Sequence, residues 1–177
     1  MHEEAALLPA ILDAAALPRV ILFGHSDGAS IALLAAARFP TRIAGLALEA
    51  PHAFVEDVAL DSIEHMRWRF QESDLRQRLA KHHANPDVVF SGWCDVWLDP
   101  AFREWNLESE LSHVTCPTLL IQGQLDRYGT LTQLDRIARQ LSGPVECLVV
   151  PQCGHTPHRD QREVVLEAVV SFVSQLP

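Results

Sequence analysis

The sequence predicts an α/β fold: a parallel sheet of about four strands with flanking helices and a helical cap insertion. Three observations predict it. Short apolar runs alternate with helix-forming runs at both ends of the chain, and the order strand, helix, strand is the one that wraps a parallel sheet. The run just before Ser26, "RVILF", is apolar, as for a parallel strand covered on both faces. A long middle stretch breaks the rhythm with mixed charge and aromatic residues, and carries all four tryptophans. At 177 residues, with 48% apolar and 21% charged side chains, the chain suits a single folded domain with a hydrophobic core and excludes a disordered one.

Taken in order, residues 3 to 17 repeat apolar side chains at helical spacing behind Glu3 and Glu4, with Pro9 marking a first turn or a kink. "RVILF" (19 to 23) is a strand. "ASIALLAAARF", directly after Ser26, has high helix propensity and ends before Pro40. "RIAGLALEA" (42 to 50) is a second buried strand stopped by Pro51. The alternation returns with a strand at 116 to 123, a helix at 131 to 141, a strand at 144 to 150 and an amphipathic helix at 162 to 176. Residues 1–51 and 114–177 therefore form the core, and 52–113 the helical cap or lid insertion. Arg67, Arg69, Arg76 and Arg78 stand among Glu64, Glu72 and Asp74, a solvated mixed-charge face.

Gly24-His25-Ser26-Asp27-Gly28 matches the G-x-S-x-G nucleophile elbow, with a buried strand before it and a helix after it. The turn must be so tight that the serine is strained and a Cβ on either glycine collides with its surroundings. It lifts the hydroxyl above the sheet and aims the Asp27 backbone N–H, at the positive end of the helix, at an oxyanion forming on Ser26. A serine nucleophile needs a base and the base needs a carboxylate. Asp126 follows the third strand and His155 the fourth. Parallel strands deliver all three to one rim of the sheet, in the chain order Ser, Asp, His. His158, expected to start the last helix, and Asp135, mid-helix, are the weaker alternatives. His25, Trp93 and Trp97 are candidates for substrate contact, with aromatic packing the plainer role for the tryptophans.

Other chemistries fit less well. The formal charge of −9 and the lack of a basic stripe exclude a nucleic-acid binder. The four cysteines are dispersed, without a CxxC pair or a secretory leader ahead of them, so free thiols and a cytoplasmic address are expected. No segment reads as a membrane anchor. Cys153, His155, His158 and Asp160 have spacing that matches no common zinc signature, so neither a metal nor a cofactor is expected.

The segments "GHSDGASIALLAAARFPTRIAGLALEAPHAFVEDV", "CPTLLIQGQLDRYG" and "CGHTPHRDQREVVLEAVVSFV" resemble the C-terminal part of the α/β-hydrolase fold, in particular the valacyclovir-hydrolase-like serine esterases. The resemblance runs from about residue 5 to the end. It implies Ser26 as nucleophile, Asp126 as acid, His155 as base, and Asp27 as a contact for the α-amino group of an amino-acid ester. It also implies a partial fold that lacks the family's N-terminal strands and their second oxyanion donor. The expectation is a hydrolase of small esters whose apolar "VILF" edge is covered by a second copy or another chain. The alternative is a weakly active or non-catalytic fragment that serves as an assembly or binding module.

Overall fold

Four apolar runs become four strands: β1 (Val20–His25), β2 (Ile43–Glu49), β3 (Thr118–Gly123) and β4 (Val145–Val150). All pair in parallel, in the order β1-β2-β3-β4. The structure, a computed structural model, describes residues 1–176. Between the strands run α1 (His2–Ala14) before β1, α2 (Asp27–Arg38) after it, α6 (Glu108–Leu111) ahead of β3, α7 (Leu131–Gln140) ahead of β4, and the closing pair α8 (Pro157–Asp160) and α9 (Arg162–Ser174). Three further α-helices and a 3₁₀ turn, described below, lie between β2 and α6. None of the described helices is long and apolar enough to cross a membrane.

Small side chains explain how close α2 lies to the sheet. Ala29, Ala32, Ala35 and Ala36 are buried beside Leu33 and Leu34, and the helix packs on both β1 and β2. Inside the sheet, every residue of β3 is buried. Leu119, Leu120 and Ile121 each contribute about 1.5–3 kcal/mol by that burial. On one face, Leu119 and Ile121 join Ala47, Val150, Val165 and Phe172 in a core cluster under α9.

The two-sided cover read from the apolar run fails for β1, whose uncovered "VILF" edge is the one that the resemblance implied. As an outer strand it has exposed Ile21 and Phe23, and α1 leaves Leu7 and Ile11 exposed as well. Pro9 lies inside α1 rather than at its first turn, at the cost of one helical hydrogen bond.

The chain divides into two units: Met1–Phe54 together with the chain from Asn106 onward, and Val55–Trp105. The second unit holds α3 (Asp57–Glu72), α4 (Leu75–Leu79), α5 (Pro86–Leu98) and a 3₁₀ turn (Pro100–Glu104). Asn85 caps α5 by accepting from Val88 N–H, with Pro86 in the first turn where its missing N–H costs nothing. Ala59, Ile63, Phe90, Cys94 and Trp97 are buried, and Phe70 stacks on Phe90 with ring centroids 4.0 Å apart. Residues 52–54 and 106–113, grouped with the insertion on sequence, join the sheet unit instead. An antiparallel bridge between Phe54 and Asn106 and a hydrogen bond from Leu107 N–H to Ala53 O draw the two ends of the insertion together there.

Candidate active site

Ser26 lies between the end of β1 and the start of α2 with φ 54° and ψ −124°, a conformation that an L-residue adopts only under constraint. Three features supply the constraint. Ser26 N–H donates to Glu49 O at 2.9 Å, extending the β1–β2 ladder through the turn. Ser26 O accepts from Ala29 and Ser30 N–H, starting α2. Gly24 has no room for a side chain: a Cβ there would lie 2.6 Å from Gly28 O and 2.8 Å from Ala29 Cα. Gly28 departs from expectation, since a Cβ at that position meets nothing within 4 Å among the described residues. The tightness of the elbow is thus one-sided.

Asp126 and His155 reach Ser26 from the ends of β3 and β4. His155 Nδ1 lies 2.8 Å from Asp126 Oδ2 and 3.0 Å from Oδ1, and His155 Nε2 lies 3.0 Å from Ser26 Oγ. A carboxylate only accepts, so Nδ1 carries the ring proton and Nε2 of the neutral imidazole accepts from the serine hydroxyl. Asp126 is itself held: Gln122 Nε2 donates to Oδ2 at 2.7 Å and Tyr128 N–H to Oδ1 at 2.8 Å. Its side chain is 1% exposed, against 17% for His155. The loop bearing His155 crosses β3 so closely that a Cβ on Gly123 would fall 2.0 Å from Gly154 O, so only glycine fits. Gly154 N–H donates to Asp160 Oδ2, which fastens that loop to α8.

Residues that the motif does not mark surround the relay. His25 Nε2–H donates to the backbone carbonyl of His155 at 2.7 Å, and the two rings lie 5.0 Å apart. Burial above all holds His25 below the ordinary histidine range. His52, nearly fully buried, has its ring 6.0 Å from that of His155, and Ser30 pins its backbone by accepting from His52 N–H and donating to His52 O. Fully buried Glu49 accepts from His158 Nδ1–H at 2.5 Å. Burial, then the nearby Asp160, Glu49 and Asp126, push the Cys153 thiol up to about 11, which keeps it neutral. All four cysteines are free.

The remaining candidates divide. Asp27 is the first residue of α2, so its N–H belongs to the helix turn that faces Ser26. Asp135 pairs with Arg139 one turn along α7, away from the relay. His158 does not open the last helix; with Pro157 it starts the separate short helix α8. Trp93 and Trp97 belong to the second unit, where Trp93 meets Phe90 edge-on and Trp97 packs against Phe102 and Trp105. The sequence reading missed Glu49, Gln122 and His52. The one signal for Glu49 was an acid closing an otherwise apolar strand.

A family model described as "Alpha/beta hydrolase family" matches residues 2–168. The human (Homo sapiens) protein named "Serine hydrolase BPHL" is 25% identical over 154 residues, which is 84% of this chain and 52% of the relative. Among solved structures, the alpha/beta hydrolase enzyme MGS-M2 from a Medee basin deep-sea metagenome library is similar with a TM-score of 0.73 and 19% identity, over 97% of this chain and 70% of its own. A thermophilic esterase from Thermogutta terrifontis is similar with a TM-score of 0.66 and 21% identity, over 97% and 71%. At such identities the likeness is one of fold. The chain spans about half the length of the curated relative it matches.

Proposed function

The chain belongs to the alpha/beta hydrolase family, and from that premise we propose that it is a serine hydrolase that cleaves a small carboxylic ester through an acyl-enzyme. One observation carries the reading: a buried carboxylate, an imidazole and a strained serine hydroxyl joined in a continuous hydrogen-bonded series. Ser26 Oγ attacks the ester carbonyl carbon while its proton passes to His155 Nε2. Asp126 holds the ring and stabilises the imidazolium. The Asp27 amide, at the head of α2, receives the oxyanion. Collapse expels the alcohol, which takes the proton from His155; water then attacks the acyl-enzyme with the same base. The steps call for no cofactor.

The substrate reading goes further and stands on resemblance to the esterases. In it, the Asp27 carboxylate meets the α-amino group of an amino-acid ester, and His25 contributes to acyl or alcohol contacts. A cytoplasmic setting, suggested by the dispersed free thiols, belongs to the same reading.

Fluorophosphonate labelling tests the chemistry. Wild-type protein is expected to take the label and Ser26→Ala to refuse it; a folded wild-type sample that stays unlabelled would overturn the proposal. For the substrate, Asp27→Ala should lose far more activity on aminoacyl esters than on plain ones. Equal losses remove the amino-group contact.

A second reading is favoured by one specific observation, the outward apolar side of β1 and α1, where Phe23 is 52% and Leu7 60% exposed. An outer strand of this kind pairs readily with another. In this reading the chain is an assembly module whose β1 edge is covered by a second copy or another chain, with weak or no catalysis. A stable monomer by light scattering contradicts it.

A further inference from the structure

We propose that His25, Glu49 and His158 form a binding site for a divalent d-block cation of the zinc class. The three come from separate elements. His25 ends β1 and Glu49 ends β2, where they are register partners, and His158 lies on α8. Each can offer one ligand atom so that all three atoms lie within 4.8 Å of one another. Zinc bound at about 2.0–2.2 Å to nitrogen and oxygen needs ligand atoms roughly 3.3–3.5 Å apart, so side-chain shifts of about an ångström close the site. Two imidazoles and a carboxylate, with a fourth position left for water, are a donor set zinc accepts.

The surroundings already have the form that metal-bound histidines need. A ligating imidazole usually gives its other N–H to a backbone carbonyl or a carboxylate. His25 does this: Nε2–H is committed to His155 O, so Nδ1 bears the lone pair. Glu49 supplies an independent pointer. It is fully buried, its Oε2 takes only the His158 proton, and its Oε1 has no hydrogen-bond partner among the described residues. A buried carboxyl oxygen so placed is costly to leave bare, and a cation satisfies it. On binding, the ion occupies the position of the proton between His158 Nδ1 and Glu49, and the ring proton passes to Nε2 through solvent, so the imidazole stays neutral. His158, 39% exposed at its side chain, gives the ion a way in. Cys153 stays outside the set, its sulfur turned toward Gly154 O and Asp160.

Occupancy would tie the ends of β1 and β2 to α8, and through His25 to the backbone of His155. The site does not depend on the hydrolase reading, and its test is one of binding. Zinc chloride is titrated into the full chain by calorimetry, and melting is followed with and without saturating metal. The expected result is one equivalent bound and a melting temperature raised by about 5 °C or more. His158→Ala and Glu49→Gln should each weaken binding by about tenfold or more and abolish the rise, whereas the double variant His82→Ala/His83→Ala, on the exposed stretch after α4, should keep both. If Glu49→Gln fails to fold, the half-exposed His158 carries the test. The proposal is overturned if wild type shows no rise, if His158→Ala shows the same rise, or if the His82/His83 variant loses it, which would mean adventitious binding to surface imidazoles.

Discussion

β3 and β1 each deliver one end of the hydrogen-bonded relay to the rim, yet they are built differently. β3 is buried at all six positions and has a strand on each side; β1 is outermost and shows every second side chain of Val20–Phe23 more openly than its neighbours. Asp126 therefore rises from the best-packed part of the sheet and Ser26 from one of its two outer strands. The difference teaches that strand burial does not by itself position Ser26. Its hold comes from the elbow: the bond to Glu49 O, the first turn of α2 and the absent side chain of Gly24.

The largest effects should erase the contrast, because the chemistry draws on both ends alike. Ser26→Ala and Asp126→Asn are each expected to reduce ester turnover by about 10⁴-fold or more, read as kcat on a chromogenic ester. A variant at either position with near-normal kcat would remove that residue from the mechanism. Next in size is packing, where the contrast should be plain. Leu120→Ala, in β3 and 0% exposed, should cost about 3 kcal/mol in urea unfolding, and Ile21→Ala, in β1 and 38% exposed, less than about 1 kcal/mol. Equal costs would mean that β1 is covered in solution.

Gly24 and Gly28 sharpen the point within the elbow. Gly24→Ala drives a methyl into backbone and should lower stability by about 2 kcal/mol or more. Gly28→Ala, in the first turn of α2 and open on that side, should raise it by about 0.5–1 kcal/mol. Thermal melts of the pair decide the matter, and a destabilised Gly28→Ala would restore the two-sided elbow. The smallest effect concerns the β3 end. Gln122 holds Asp126 without meeting substrate, so Gln122→Leu should lower kcat about tenfold while leaving KM near its original value. A change confined to KM or to melting would reduce Gln122 to a packing role.

Sequence reading reached the parts of the molecule governed by local rules. Apolar runs became strands, G-x-S-x-G became a strained turn, and Asp126 and His155 followed their strands closely enough to be found by position. It failed where the decisive partner is distant in the chain. Glu49 meets His158 across 109 positions, and no local pattern announces that pairing. The neck at Phe54 and Asn106 is likewise a tertiary closure, invisible in the charge pattern that suggested 52–113. His158 was expected to start the last helix; Gln161, with φ −138°, instead separates α8 from α9. Gly28 satisfied a motif whose steric reason is absent at that residue here.

Ser26 keeps its peptide torsions where an unaided chain would not leave them, so the poise of its hydroxyl is on loan from the residues around it. Gentle warming or dilute urea should release that loan first, letting the serine relax while the helices are still wound. A reagent that reads the serine would then act as an early thermometer for this protein, registering loosening that ellipticity still reports as intact.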